Sequence, residues 1–214
     1  DGVSWSEGTS GSASSFLGVA WSGSQFAAVG SPSALLTSPD GLKWTTRPAP
    51  EANKAVDQVV WTGSEFVAFG LMSEVWVSAD GVVWEARATG ATATISTGGL
   101  ANGELFAIGS GPDRVNIYRS IDGVTWSRTM APQSIRAVAS NGLILVGVGE
   151  SGGAHLAEQG VEWVRSQDPF GDEDLRSLTA HGGLVIAGTS GGLLAKSTDH
   201  GMTWEAVPSV DDGW

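Results

Sequence analysis

The sequence of 214 residues contains no cysteine, a single tyrosine and only eleven lysine and arginine residues. The absence of cysteine excludes disulfides, thiol chemistry and thiolate metal sites. Against the few basic residues stand 23 aspartate and glutamate residues, so that the formal net charge is −12. A negative surface opposes the phosphate contacts of nucleic-acid binding and the attraction to anionic lipid. We therefore expect neither a nucleic acid nor a membrane surface as partner.

Long apolar runs are also missing. The longest, residues 143–148, falls well short of the ~20 residues that span a bilayer, and membrane insertion is not expected. The sequence begins at Asp1 rather than at methionine, which favours the removal of a leader or an upstream segment. From this we expect a secreted or cell-surface protein.

What the sequence does contain is a repeated turn element that ends in tryptophan. Clear copies read SPDGLKW (38–44), SADGVVW (78–84), SIDGVTW (120–126) and STDHGMTW (197–204). A truncated copy, DGVSW, opens the chain, and a degenerate copy, AEQGVEW, occupies 157–163. The final tryptophans are 37 to 42 residues apart, close to the period of four-stranded propeller blades.

A second pattern lies between these elements. WSGSQFAAVG (21–30) is matched by WTGSEFVAFG (61–70), and Asn-Gly or Gly-Gly dipeptides mark the same hairpin turn in the later repeats. Each repeat therefore reads as four strands, A to D, with the tryptophan element as the C–D turn. The sequence predicts an all-β, five-bladed β-propeller of four-stranded antiparallel blades, forming a single domain over 1–214. The predicted blades are 15–49, 56–88, 95–130, 134–167 and 176–208, with residues 1–8 as an extra copy of the outer strand.

The turn element resembles the Asp-box, or bacterial neuraminidase repeat. This repeat occurs in sialidases, sortilin-type receptors, some xyloglucan-active glycosidases and photosystem assembly factors. The full S-x-D-x-G-x-x-W form is present only at 197–204, whereas the other clear copies are one residue shorter between Asp and Gly. In that family the Asp-box fixes a turn at the blade periphery, away from the active face. The resemblance thus implies a propeller without implying a reaction.

The residues that a sialidase requires are not recognisable. The family uses three arginines, an acid/base and a tyrosine nucleophile with a glutamate partner. Here the sole tyrosine, Tyr118, lies in a predicted strand C, and no arginine triad can be assigned. A five-bladed glycosidase would instead need acidic residues at the inner ends of blades. Candidates for these are Asp57, Asp113 and the acidic run 172–174.

Neither a metal nor a cofactor is expected. The three histidines fall in three different kinds of position, and no phosphate loop or zinc spacing is present. Two tryptophans, Trp21 and Trp61, occupy equivalent A–B hairpins, where they either fill space or stack on sugar rings. Trp76 is expected in the core.

The loops that vary between repeats suggest where a ligand binds. In propellers the D–A and B–C loops gather on one face around the channel, and variation on a repeated frame is typical of a binding site. Near the start of strand A we predict three ligand-binding residues, Asp57, Arg136 and Arg176. At the rim we add Asp113, Arg114 and Asp174.

Two functional hypotheses stay open at this stage. We favour a non-catalytic binding module of an exported protein that recognises a glycan or a protein on the D–A/B–C loop face. The alternative is a small glycoside hydrolase with an acidic site at the channel mouth. The oligomeric state cannot be read from the sequence.

Overall fold

The protein was analysed as a computed structural model, which describes residues 8–71, 73–91, 94–101, 103–110, 115–132, 135–140, 144–158, 162–166 and 171–208. Over these residues the chain forms twenty β-strands and a single 3₁₀ turn, without an α-helix. The strands form five separate sheets, each of four consecutive antiparallel strands. The predicted all-β fold with five four-stranded blades is confirmed.

The strands follow one another in chain order within each blade. Blade one contains β1 (Ser15–Trp21), β2 (Phe26–Ser31), β3 (Ala34–Ser38) and β4 (Thr45–Thr46). Blade two contains β5 (Val56–Trp61), β6 (Phe66–Gly70), β7 (Glu74–Ser78) and β8 (Glu85–Ala88). Blade three contains β9 (Thr94–Ala101), β10 (Glu104–Ser110), β11 (Val115–Ser120) and β12 (Ser127–Ala131). Blade four contains β13 (Ile135–Ser140), β14 (Ile144–Gly149), β15 (Ala154–Glu158) and β16 (Glu162–Arg165). Blade five contains β17 (Leu175–His181), β18 (Leu184–Thr189), β19 (Leu194–Ser197) and β20 (Glu205–Val207).

The chain divides into two compact units. The first contains residues 1–98 and 123–125, and the second contains 99–122 and 126–214. Blades one and two belong to the first unit, and blades four and five to the second. The predicted extra copy at the N-terminus lies, over residues 1–7, outside the described residues. Directly after it, Thr9 forms a parallel bridge with Lys43 in the turn of blade one.

The core of each unit lies between blades that are neighbours in the chain. In the first unit, β5 packs against β1 and β2, and Trp76 is fully buried, as predicted. In the second unit, one apolar cluster joins blade three to blade four and another joins blade four to blade five. In blades one and two the middle strands B and C are buried almost throughout and therefore read as continuous apolar runs, whereas strands B and C of blade five alternate between buried and partly exposed residues. Strand D is mostly exposed.

The repeated turns are fixed by the same hydrogen bonds. In blade one the backbone N–H groups of Leu42 and Lys43 donate to Asp40 Oδ1 at 2.9 and 3.0 Å. The Trp44 indole N–H donates to the Gly41 carbonyl oxygen at 3.0 Å. Blade two repeats both features, and in blade five Thr203 N and Trp204 Nε1 do the same. The aspartates thus hold turns, as their pattern predicts, while the corresponding residues 159–161 of blade four lie outside the described ranges.

The turn of blade five gives a pH-dependent prediction. Hydrogen bonds from the Thr203 hydroxyl and backbone N–H lower the pKa of Asp199 to about 2, from a usual 3.8. Because the folded pKa is the lower one, the ionised carboxylate stabilises the fold above pH ~4, and this contribution is lost as the pH falls towards 2. We expect Asp199→Asn to lower the free energy of unfolding at pH 7 but not near pH 2, as measured by urea unfolding at each pH. A difference that stays constant over this range would contradict the assignment.

Candidate functional site

Strand A carries a β-bulge at the same place in four blades. The strand A–B register shifts between Phe16/Gly18, Val56/Gln58, Ile135/Ala137 and Leu175/Ser177. The residues at the bulge are therefore Leu17, Asp57, Arg136 and Arg176. A bulge redirects a side chain out of the regular alternation, and bulges are frequent next to active sites. The three ligand residues predicted near the start of strand A thus occupy equivalent positions of their repeats.

In blade two the sequence around the bulge explains why it forms there. In blade two the preceding Val56 is buried in the core and pairs with Gly70 on strand B. A Cβ on Gly70 would lie 2.0 Å from the Ala55 carbonyl oxygen. Only glycine permits this approach of strand B. Gly30 of blade one makes the same close approach, whereas Thr189 stands opposite Leu175 in blade five.

In the second unit, two of the bulge residues line a common pocket. Arg136, Glu150, Asp174 and Arg176 surround a volume of about 300 Å³. Arg136 forms an ion pair with Glu150, and Arg176 forms one with Asp174 at 3.3 Å. Both arginines are exposed. The pocket therefore presents two positive and two negative groups to the solvent, with no net charge.

The loops around this pocket are tied together by backbone hydrogen bonds. Ser151, in the B–C loop of blade four, has a left-handed backbone (φ 50°, ψ 47°). Its N–H donates to Asp174 Oδ1 at 3.2 Å, and the N–H of Gly152 donates to the Glu173 carbonyl oxygen at 2.7 Å. From the B–C loop of blade five, Ser190 N–H donates to the Asp174 carbonyl oxygen at 2.8 Å. The D–A segment before blade five thus links both B–C loops.

The predicted residues divide between the two units. Arg136, Arg176 and Asp174 come together in the second unit, while Asp57 belongs to the first. Asp113 and Arg114 lie outside the described residues. Glu150 was not among the predicted residues, although it begins a variable B–C loop, and its acidic side chain in that loop was the available signal.

The contacts and burial of three other candidate side chains, Trp21, Trp61 and Tyr118, are also defined. Trp21 packs against Phe26 and Trp61 against Phe66, with ring centroids 4.3 and 4.7 Å apart, and Trp21 keeps 43% of its surface exposed. Tyr118 is buried in strand C. Over the described ranges, no three His, Cys, Asp or Glu side chains are placed to hold a metal ion. Within the same ranges, no helix has the length and apolar character to cross a membrane.

Comparison with known proteins identifies the fold. No protein-family model matches the chain, and no curated protein matches its sequence. YCF48 from Cyanidioschyzon merolae matches 91% of this chain and 72% of its own, with a TM-score of 0.72 and 18% identity. YCF48 bound to D1 peptide matches 91% and 69%, with a TM-score of 0.70 and 20% identity. The WD40 propeller of Doa1 matches 90% and 67%, with a TM-score of 0.72 and 11% identity.

This chain is a five-bladed β-propeller. The matched structures include propellers of different functions at no more than 20% identity, so they establish the fold alone. The Asp-box family remains a resemblance of the turn sequences.

At the bulge of blade two, the carboxylate of Asp57 is partly buried, which disfavours its ionised form. Burial raises the pKa of Asp57 above its usual value of 3.8. Since the folded pKa is the higher one, the ionised carboxylate opposes folding at neutral pH, and the cost vanishes below the unfolded pKa. We expect Asp57→Asn to raise the melting temperature at pH 7 and to leave it unchanged near pH 3. A lower melting temperature at pH 7 would show that the carboxylate has a stabilising partner.

The loop network of the second unit predicts a local effect. Asp174→Ala removes the acceptor of the Ser151 N–H, so hydrogen exchange at that amide should become about five- to tenfold faster, as for the loss of one hydrogen bond. The Gly152 amide is an internal control because its acceptor is a backbone oxygen. Asp174→Asn retains an acceptor atom and should protect Ser151. Equal exchange rates of the Ser151 amide in the wild type and in both variants would show that the Asp174 side chain does not accept this hydrogen bond.

Proposed function

We propose that this propeller is a non-catalytic binding module that recognises a segment of another protein on its D–A/B–C loop face. The observation that carries the proposal is the pocket of the second unit. Its four charged side chains come from two strand A bulges, a B–C loop and a D–A segment. Sites of this composition bind by polar pairing rather than by apolar burial.

The pocket is suited to a ligand that carries charges of both signs. An arginine guanidinium binds a carboxylate through two parallel hydrogen bonds. Glu150 and Asp174 can in turn accept from a lysine, an arginine or a backbone amide. Exposed ion pairs contribute only about 0–1 kcal/mol to stability. The internal pairs can therefore open and re-form with a ligand at little cost.

A protein segment fits this pocket better than a sugar does. None of the four lining side chains is aromatic, whereas stacking of sugar rings needs an exposed aromatic face. The matched YCF48 structure is described as bound to a D1 peptide, which is an example of peptide binding on a propeller of similar fold. A glycan ligand stays an alternative to be tested, and export of the module stays a prediction from the sequence.

The pocket contacts do not divide its two carboxyl groups into a proton donor and a nucleophile or base. A glycoside hydrolase needs one carboxyl that donates a proton and a second that attacks or activates water. In this pocket both carboxylates already accept from arginines. Catalysis is therefore not proposed, although it is simple to test alongside binding.

The test is a selection of short random displayed peptides on the immobilised propeller, followed by calorimetry with the selected peptide. We expect peptides with neighbouring acidic and basic residues. The double variant Arg136→Ala, Arg176→Ala should bind at least tenfold more weakly, since hydrogen bonds to charged groups contribute about 1.5–3 kcal/mol. Arg128→Ala, at an exposed arginine of strand D in the same unit, controls for the loss of one positive charge away from the pocket and should bind like the wild type.

The same proteins should be applied to a glycan array and to a panel of chromogenic glycosides. Binding only to glycans, with the same dependence on Arg136 and Arg176, would show that the ligand is a sugar and not a protein segment. Peptide binding that the double variant retains would place the site elsewhere. Hydrolysis of a glycoside that Glu150→Gln or Asp174→Asn abolishes would show that the protein is an enzyme and not a binding module.

A further inference from the structure

The D–A segment before blade two, which joins strands β4 and β5, is held by hydrogen bonds to both neighbouring B–C loops. In the loop of blade one, the Ser33 backbone N–H donates to the Lys54 carbonyl oxygen at 2.6 Å, and the Lys54 N–H donates to the Ser33 hydroxyl oxygen at 2.8 Å. In the loop of blade two, the Leu71 N–H donates to the Ala55 carbonyl oxygen at 3.0 Å. This segment therefore connects two loops of the D–A/B–C face within the first unit.

A pair of carboxyl groups adds a side-chain contact to this segment. Glu51, in the segment, is hydrogen-bonded through its side chain to Glu74, the first residue of strand C in blade two. Lys54 Nζ lies 3.3 Å from Glu51 Oε2. A carboxylate only accepts hydrogen bonds, so this contact requires a proton on one of the two groups. When both groups are ionised, two like charges meet and repel each other.

The surroundings place the shared proton on Glu74. Burial raises the pKa of Glu74 above its usual value of 4.5, and the neighbouring Glu51 raises it further. The hydrogen bond from Glu74 and the ammonium group of Lys54 lower the pKa of the exposed Glu51. Glu74 is therefore the donor and Glu51 the acceptor of the contact.

Few other charges face this pair. Over the described residues, the charged groups that act on Glu74 are Glu51 and Lys54. Ala88 lies opposite Glu74 on strand D, and Arg87 of that strand forms an ion pair with Glu65 at 2.8 Å. The facing loop and strand C of blade one, residues 31–38, contain no charged residue. The protonation state of the pair is thus set by three side chains.

We propose that the Glu51–Glu74 contact is an acid-closed latch, which ties the D–A segment to strand C of blade two when the pair carries a proton and lets go when both carboxyl groups are ionised. The raised pKa of Glu74 means that its contribution to stability is present below pH ~4.5 and is lost as the pH rises through the folded pKa. The contribution of Glu51, whose pKa is lowered, is lost only as the pH falls through its folded pKa. The latch is therefore closed in mildly acidic solution and open at higher pH.

Hydrogen exchange at the Ser33 and Lys54 amides, measured by NMR over a pH series from about 5 to 7.5, tests the proposal. Protection factors correct for the intrinsic pH dependence of exchange. In the wild type they should fall by about two- to tenfold as the pH rises, as for the loss of one hydrogen bond. In Glu74→Gln the side-chain amide donates to Glu51 at every pH of the series, so protection should stay at the acidic level.

Two further variants complete the design. Glu51→Ala removes the latch, so protection should be low and independent of pH, and the Glu74 carboxyl carbon should titrate at a lower pH than in the wild type. Glu85→Gln is the matched control, because Glu85 is an exposed glutamate on strand D of the same blade and its loss changes the net charge equally. It should keep the pH dependence of the wild type.

Wild-type protection that does not change over the series would overturn the proposal. So would a pH dependence that persists in Glu74→Gln or Glu51→Ala, because it would then arise from other groups, or its loss in Glu85→Gln. An unchanged titration of Glu74 in Glu51→Ala would show that the two carboxyl groups do not interact. None of these substitutions touches the four-residue pocket of the second unit, so failure here is distinct from failure of the proposed function.

Discussion

Burial on both faces is the constraint on which the rest of this propeller depends. A sheet covered on each side must place apolar residues at successive positions of its middle strands rather than at alternate ones. In blade two, strand B from Phe66 to Gly70 is buried throughout, as is strand C from Val75 to Ser78. The side chains of these strands pack in the interior, so they offer little surface to a ligand.

This interior packing leaves strand A as the place where side chains are free to vary. In blades two, four and five its first residue (Val56, Ile135 or Leu175) is buried in the core, and the bulge then redirects the next side chain out of the regular alternation. The same backbone position therefore carries Leu17, Asp57, Arg136 or Arg176 in different blades without any change in the frame around it. The charge and polarity at this position therefore depend on a single residue in each repeat. The Asp-box turns, which hold the C–D ends, stay nearly constant.

The repeat makes the fold predictable from the sequence, but only part of the site. Six copies of a turn at regular spacing determine the number of strands and their order. Counting back from the hairpins also brings Asp57 and Arg136 to equivalent positions, because strand A has six residues in both blades. The partner of Arg136 does not follow from counting, since Glu150 lies in a B–C loop and the residue types of these loops differ between repeats.

The distribution of charge separates recognition from stability in this molecule. The ion pairs of the pocket are exposed, and such pairs contribute little to folding, whereas the apolar faces between blades supply most of the burial that does. Substitutions at the bulges can therefore alter what is bound without loss of the fold. Asp57 differs from the exposed arginines at the equivalent positions, because its carboxylate is partly buried and this burial raises its pKa. Shifts of this kind are frequent at functional sites.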